Sequence, residues 1–123
     1  MSRPVSGQGL GLVGRFFLGL GLLFLTMEVA LAAATPVANN DTATTAEDTA
    51  VQIDVLANDS DADGDSLSIL SAVVSGSGTG TVTTDGSTIT FTPAADYNGT
   101  ATVFYFASDN NDGADSASVT VTI

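Results

Sequence analysis

From Asp41 onward the chain is patterned with a period of two: β-branched residues alternate with Thr, Ser, Gln and Asp, and Gly, Asn and Asp interrupt at short intervals. Such alternation marks half-buried β-strands, because successive side chains of a strand point to opposite faces. Val51, Ile53 and Val55 alternate with Gln52 and Asp54 in one strand, and Leu67 and Ile69 open another that runs toward Val74. Thr81 to Thr84 and Ser87 to Thr92 flank Asp85-Gly86. That dipeptide suits a two-residue type I′ hairpin, whose central residues both take positive φ, and the resulting register sets Val82 opposite Ile89. Thr100 to Ser108 and Ser116 to Ile123 follow, the last with Ala117, Val119, Val121 and Ile123 on one face. No segment carries a convincing helical period.

With a short first strand around Asp41 to Thr45, the pattern predicts seven strands and an all-β fold, a two-sheet Greek-key sandwich in preference to a small barrel. Strands that reverse direction sort the loops into two ends. The N-terminal stretch, Asn58 to Asp65, Asp85-Gly86 and Asp109 to Asp115 share one end; Glu47, Ser75 to Gly80, Pro93 to Gly99 and the C-terminus share the other. Most of the acidic residues collect at the first end.

Ahead of the strands, residues 1–34 read as a secretory signal peptide. A positively charged, Gly-rich start ends at Arg15, an apolar run covers Phe16 to Met27, and small residues continue to Ala34. The uninterrupted apolar run is about 12 residues, short of the roughly 20 that span a bilayer. Cleavage is expected after Ala32 or Ala34, since Ala30-Leu31-Ala32 and Ala32-Ala33-Ala34 both fit the A-x-A pattern. The expected domain is 35–123, secreted or on the cell surface, with no insertion into the membrane after cleavage.

Charge narrows the function. The chain has 14 Asp plus Glu against 2 Lys plus Arg, a formal charge of -12, and no Cys, His or Trp. Both cations, Arg3 and Arg15, lie in the leader, so nucleic acid and anionic membrane surfaces are excluded as partners. Thiolate and imidazole chemistry, disulfides and the usual zinc sites are absent with their residues. No Ser has a His or Lys to activate it, and a non-enzymatic module is expected. A domain of about 90 residues buries only roughly 60 to 65% of its unfolded surface, so a metal is a candidate source of added stability.

The loop Asn58-Asp59-Ser60-Asp61-Ala62-Asp63-Gly64-Asp65 sets carboxylates at every second position around a turn-permitting Gly. Hard oxygen ligands without imidazole or thiolate select Ca²⁺, and a second Asp-rich loop, Asp109-Asn110-Asn111-Asp112, is expected at the same end. A solvated acidic turn is the alternative. An EF-hand is disfavoured: with Asp59 as position one, position twelve is Leu70, where a bidentate Glu belongs.

In order and spacing these residues resemble the cadherin-like bacterial Ig-like domains that occur as tandem repeats in large secreted, RTX-type adhesins. The resemblance covers roughly Val37 to Ile123. It rests on Val37-Ala38-Asn39-Asn40-Asp41, Thr45-Ala46-Glu47-Asp48-Thr49, Asp54-Val55-Leu56-Ala57-Asn58-Asp59, Asp61, Asp63-Gly64-Asp65, Ile89-Thr90-Phe91-Thr92-Pro93, Tyr97-Asn98-Gly99-Thr100 and Ser108-Asp109. The resemblance implies an Ig-like, cadherin-like sandwich that binds Ca²⁺ through Asp61, Asp63 and Asp109 with Asn40 and Asp41 from the preceding linker; Asp59 and Asp65 lie in the same loop. It also implies a second metal end at Glu47, where Asp96 joins. The Asp-Arg-Glu motif of cadherins has no counterpart, because no Arg follows Arg15.

Adhesion or a structural spacer role is the function so implied, with neighbouring repeats or a surface protein or glycan as partner. The domain is expected to be a piece of a longer repeat adhesin or a truncated gene. Val103-Phe104-Tyr105-Phe106-Ala107 adds a candidate contact surface: if Val103, Tyr105 and Ala107 face the core, Phe104 and Phe106 face outward, unless a loop covers them or the parity is reversed. A calcium-dependent carbohydrate-binding module is the alternative function, with those two Phe as its only platform and no Trp to assist.

Overall fold

A computed structural model of the protein describes residues 32–123. The expected signal peptide therefore falls outside the described residues except for its last positions, 32–34. Seven strands are present: β1 (Asp41–Thr44), β2 (Val51–Ile53), β3 (Ser68–Ser75), β4 (Gly80–Thr84), β5 (Ile89–Pro93), β6 (Thr100–Ser108) and β7 (Ala114–Thr122). They form a four-stranded sheet in the order β1-β7-β6-β3 and a three-stranded sheet in the order β2-β5-β4. All ladders are antiparallel except β1 with β7, which run parallel from Asp41↔Val119 to Thr44↔Thr122.

The period-two pattern fixes which side chains fill the sandwich. On β6, Ala101, Val103, Tyr105 and Ala107 point inward; on β7, Ala117, Val119 and Val121 do the same. Ile53, Val55, Ile69, Ile89 and Phe91 complete the core. Each fully buried Val, Ile or Phe contributes about 1.5 to 3 kcal/mol of burial free energy. Both sheets and the whole core lie within Ala33–Ile123, which is a compact unit in itself.

Three local expectations change. Val55 is not the end of β2: Val55–Asn58 forms a 3₁₀ turn, which keeps Val55 fully buried while swinging the chain into the acidic loop. Leu70 is the extra residue of a β-bulge in β3, where Ile69 pairs with Ala107 and Ser71 with Phe106, so the inward parity shifts from Ile69 to Ala72 and Val74.

The hairpin register moves by two residues. Thr84 pairs with Ile89 and Val82 with Phe91, not Ile89, so the loop spans Asp85 to Thr88. The cause lies in Asp85, whose carboxylate accepts the N–H groups of Ser87 and Thr88, both at 2.8 Å. These bonds hold the turn and lower the Asp85 pKa. Gly86 alone in this turn has positive φ, at 92°, whereas a type I′ turn needs two such residues. A shift of two leaves every side chain on its expected face.

The loops gather at two ends as expected. Ile69 N–H donates to the Gly86 carbonyl at 2.8 Å, and Asn110 Nδ2 donates to the Ser66 carbonyl at 2.7 Å. Val37 and Ser60 exchange backbone hydrogen bonds of 2.7 and 3.0 Å, which stitches the N-terminal stretch to the acidic loop. At the other end, Gly99 and Ile123 exchange bonds of 3.1 and 2.8 Å.

Candidate metal centre

Asp61, Asp63 and Asp65 converge. Each presents one carboxylate oxygen within 4.8 Å of the others. The turn at Gly64, with φ 77°, brings them together, and Asp61 Oδ1 anchors it by accepting the N–H groups of Asp63 at 2.8 Å and Asp65 at 3.2 Å. Asp61 Oδ2 and Asp65 Oδ2 are buried and accept no hydrogen bond. Two oxygens bound to one Ca²⁺ at about 2.3 to 2.6 Å lie at most about 4.6 to 5.2 Å apart, so three oxygens this close to one another can reach a common ion. Without a cation, each such pair of carboxylates repels by about 1 kcal/mol even at the dielectric constant of water. The donor set and its two orphaned oxygens fit a hard divalent cation.

The neighbouring carboxylates are engaged elsewhere, through Tyr105, which the alternation along β6 places in the core. The Tyr105 ring is buried, and its hydroxyl emerges at the acidic end among four acceptors. These are Asp59 Oδ2 at 2.8 Å, the Asn39 carbonyl at 3.0 Å, the Val55 carbonyl at 3.3 Å and Asp41 Oδ2 at 3.5 Å. Asp59 Oδ1 accepts the Asn39 N–H at 2.8 Å. Burial first, and the Asp59 charge second, raise the Asp41 pKa. Desolvation and the same carboxylates push the Tyr105 pKa up, so the hydroxyl stays a donor. Asn40 Oδ1 accepts from Ser118, its N–H at 3.0 Å and its hydroxyl at 3.2 Å. Asp41, Asp59 and Asn40 thus fasten the linker to the domain. The signal that could have found this is the inward parity of Tyr105, since a buried Tyr hydroxyl needs a partner.

Asp109 is 2% exposed at the end of β6. Its Oδ1 accepts the N–H groups of Asn111 and Gly113, both at 2.8 Å, while its Oδ2 has no partner. It lines a cavity of about 150 Å³ with Ala33, Ala34, Thr35, Asn111, Asp112 and Gly113. Ala34 N–H in turn donates to Asp63 Oδ2 at 2.6 Å. The expected ligands therefore divide into three groups: the Asp61-Asp63-Asp65 cluster, the Asp41-Asp59-Tyr105 junction with Asn40 beside it, and Asp109 in its own loop.

A family described as Bacterial Ig domain matches residues 33–122. The chain belongs to that family. Bacterial Ig domains are commonly extracellular, and among the described residues no helix is long and apolar enough to cross a membrane. A search of the curated proteins found no match. Among solved structures, this bacterial Ig domain is similar to part of a nucleoside hydrolase-related hypothetical protein from Saccharophagus degradans that is associated with carbohydrate metabolism. The identity is 20%, the TM-score 0.50, and the match covers 74% of this chain and 26% of that one. An endo-fucoidan hydrolase from glycoside hydrolase family 107 matches at 19% identity and a TM-score of 0.49, over 73% of this chain and 16% of that one. The likeness to the first concerns the fold alone, and this chain spans about a quarter or less of either protein.

At the opposite end of the bacterial Ig domain, Glu47 and Asp96 do come together, and Asp48 joins them, with oxygens within 4.8 Å. Asp48 was not expected there. Its carboxylate accepts the Asp96 N–H at 3.0 Å, and Glu47 accepts from Asn98 Nδ2 at 3.3 Å. All three acids are exposed. Tyr97 anchors the adjacent turn by donating its hydroxyl to the Thr100 carbonyl at 2.8 Å.

The outer face of the four-stranded sheet carries the aromatic pair. Phe104 is 43% and Phe106 45% exposed, beside Val73 at 54% and Leu70 at 61%.

Proposed function

We propose that this bacterial Ig domain is a non-enzymatic, secreted or cell-surface module, stabilised by calcium and serving in adhesion or as a structural spacer. The observation that carries the reading is the Asp61-Asp63-Asp65 cluster, with two buried carboxylate oxygens that nothing in the domain satisfies. Asp109 Oδ2 is a further orphan at the same end. The tie between Ala34 and Asp63 gives the ion a way to stiffen the entry of the chain into the domain.

At an affinity on the order of 10⁻⁴ M, usual for extracellular calcium modules, about 10 mM Ca²⁺ adds roughly 2.7 kcal/mol. For a domain of this size that corresponds to a melting rise of roughly 10 to 20 °C. The test is thermal unfolding of Ala33–Ile123 in EDTA, Mg²⁺ or Ca²⁺, repeated on Asp61→Asn with Asp63→Asn. A rise specific to Ca²⁺ and lost in the double variant supports the reading. Equal melting in Ca²⁺ and EDTA sinks it. A carbohydrate-binding module is the second reading, supported by the outward Phe104 and Phe106; a glycan array without a calcium-dependent hit removes it.

A further inference from the structure

The two outer faces of the sandwich differ in kind. On the three-stranded sheet, the outward residues of the strands include Gln52, Thr81, Thr83 and Thr92. On the four-stranded sheet they include Leu70, Val73, Phe104 and Phe106, flanked by Ser116, Ser118 and Thr120. This second face carries no charged side chain, although residues 32–123 hold 13 carboxylates and no Lys or Arg. Its relief is ordered. In the β6–β7 ladder, Phe104 lies beside Ser118 and Phe106 beside Ser116, so an aromatic ridge along β6 runs next to a shallow trough along β7. The trough floor is held in place by Asn40, which accepts from the backbone and hydroxyl of Ser118.

We propose that this face is the interface of a two-fold dimer of the domain, with a second copy as its occupant. A ridge beside a parallel trough on one surface is self-complementary, which is what an isologous contact requires. A two-fold axis along the strands, above the boundary of β6 and β7, sets Phe104 of one copy over Ser118 of the other and Phe106 over Ser116. Size agrees with this occupant. Strands of four, nine, nine and eight residues, about 4.8 Å apart and rising about 3.4 Å per residue, cover on the order of 500 Å² in plan. Side-chain relief raises the accessible area toward the roughly 800 Å² per partner of a standard interface, far more than one sugar ring covers. Charge agrees as well, because no carboxylate lies on the face to oppose its own image. The same axis aligns the two acidic ends side by side, so their repulsion is the main term against association and salt relieves it. None of this depends on calcium.

Sedimentation equilibrium of Ala33–Ile123 in EDTA, up to about 0.5 mM protein, tests the proposal. The expected result is a monomer–dimer equilibrium that tightens as NaCl rises from about 0.05 to 0.5 M. Phe104→Thr with Phe106→Thr is expected to weaken it at least about 100-fold, as loss of central aromatic anchors does, with the melting temperature little changed. If that variant fails to fold, Val73→Thr with Leu70→Ser probes the same face from β3. A monomeric wild type across the whole range overturns the proposal, including the case in which a glycan array shows the Phe pair binding sugar. Dimers that survive both variants, or that weaken with salt, also overturn it.

Discussion

Replacing Tyr105 with Phe removes a single hydroxyl from the junction of linker, 3₁₀ turn and acidic loop, and leaves the ring packing intact. The hydroxyl has one proton, and the shortest of its four contacts is Asp59 Oδ2 at 2.8 Å. A hydrogen bond to a charged acceptor contributes about 1.5 to 3 kcal/mol. The carbonyls of Asn39 and Val55 and the Asp41 carboxylate, at 3.0 to 3.5 Å, compete for the same proton and add little. The proton also screens Asp41 from Asp59, so its loss leaves two carboxylates facing each other. A destabilisation of about 2 kcal/mol is expected, lowering the melting temperature by roughly 8 to 16 °C. Urea unfolding in EDTA measures it without interference from a bound ion. In an Asp59→Asn background the acceptor is neutral, and the same replacement is expected to cost only about 1 kcal/mol. A loss below about 0.5 kcal/mol, or equal losses in the two backgrounds, refutes the argument that this bond is charge-assisted.

Gly113→Ala tests how Asp109 is held. An added Cβ would meet the Asp109 carboxyl carbon at 2.9 Å and Pro36 Cδ at 3.1 Å, so the carboxylate must leave its two N–H donors. A loss of about 3 kcal/mol is expected, with faster amide exchange at Asn111 and Gly113. Asp41→Asn should act in the opposite direction. The Asp41 pKa is raised in the fold, so the folded state holds its proton more tightly than the unfolded chain does, and the contribution of Asp41 to stability is lost as pH rises above 3.8 through the folded value. In EDTA the variant is expected to melt higher than wild type at pH 7, with the difference closing toward pH 4. A gap that does not vary with pH would show that Asp41 burial is not the cause.

The sandwich could be read from alternation because each face of each sheet has one solvent. Ala117, Val119 and Val121 on β7, or Val103 and Tyr105 on β6, have no other way to satisfy both water and core. Local chemistry was less legible. Asp85-Gly86 announces a tight turn, but whether the loop closes over two residues or four depends on where the Asp85 carboxylate finds donors, a choice made in three dimensions. The bulge at Leu70 is likewise invisible in a run where Ile, Leu and Val all suit a strand. The acidic loop revealed its composition and its end of the molecule. It did not reveal that Asp59 and Asp41 point at a core tyrosine while Asp61, Asp63 and Asp65 turn toward each other, because alternate residues of a loop, unlike those of a strand, have no fixed parity.

The parallel pairing of β1 with β7 decides how the domain bears load. β1 lies alongside Val119 to Thr122, the last part of β7, and both strands run away from the acidic end toward the opposite one, where Thr45 N–H still reaches the Thr122 carbonyl at 2.9 Å. A pull applied before β1 and after β7 drags the two strands past one another along their length. The slanted, evenly spaced bonds of a parallel ladder are then strained together rather than one after another. In that geometry β1, though only four residues long, acts as a shear clamp, and rupture awaits the simultaneous failure of its whole ladder.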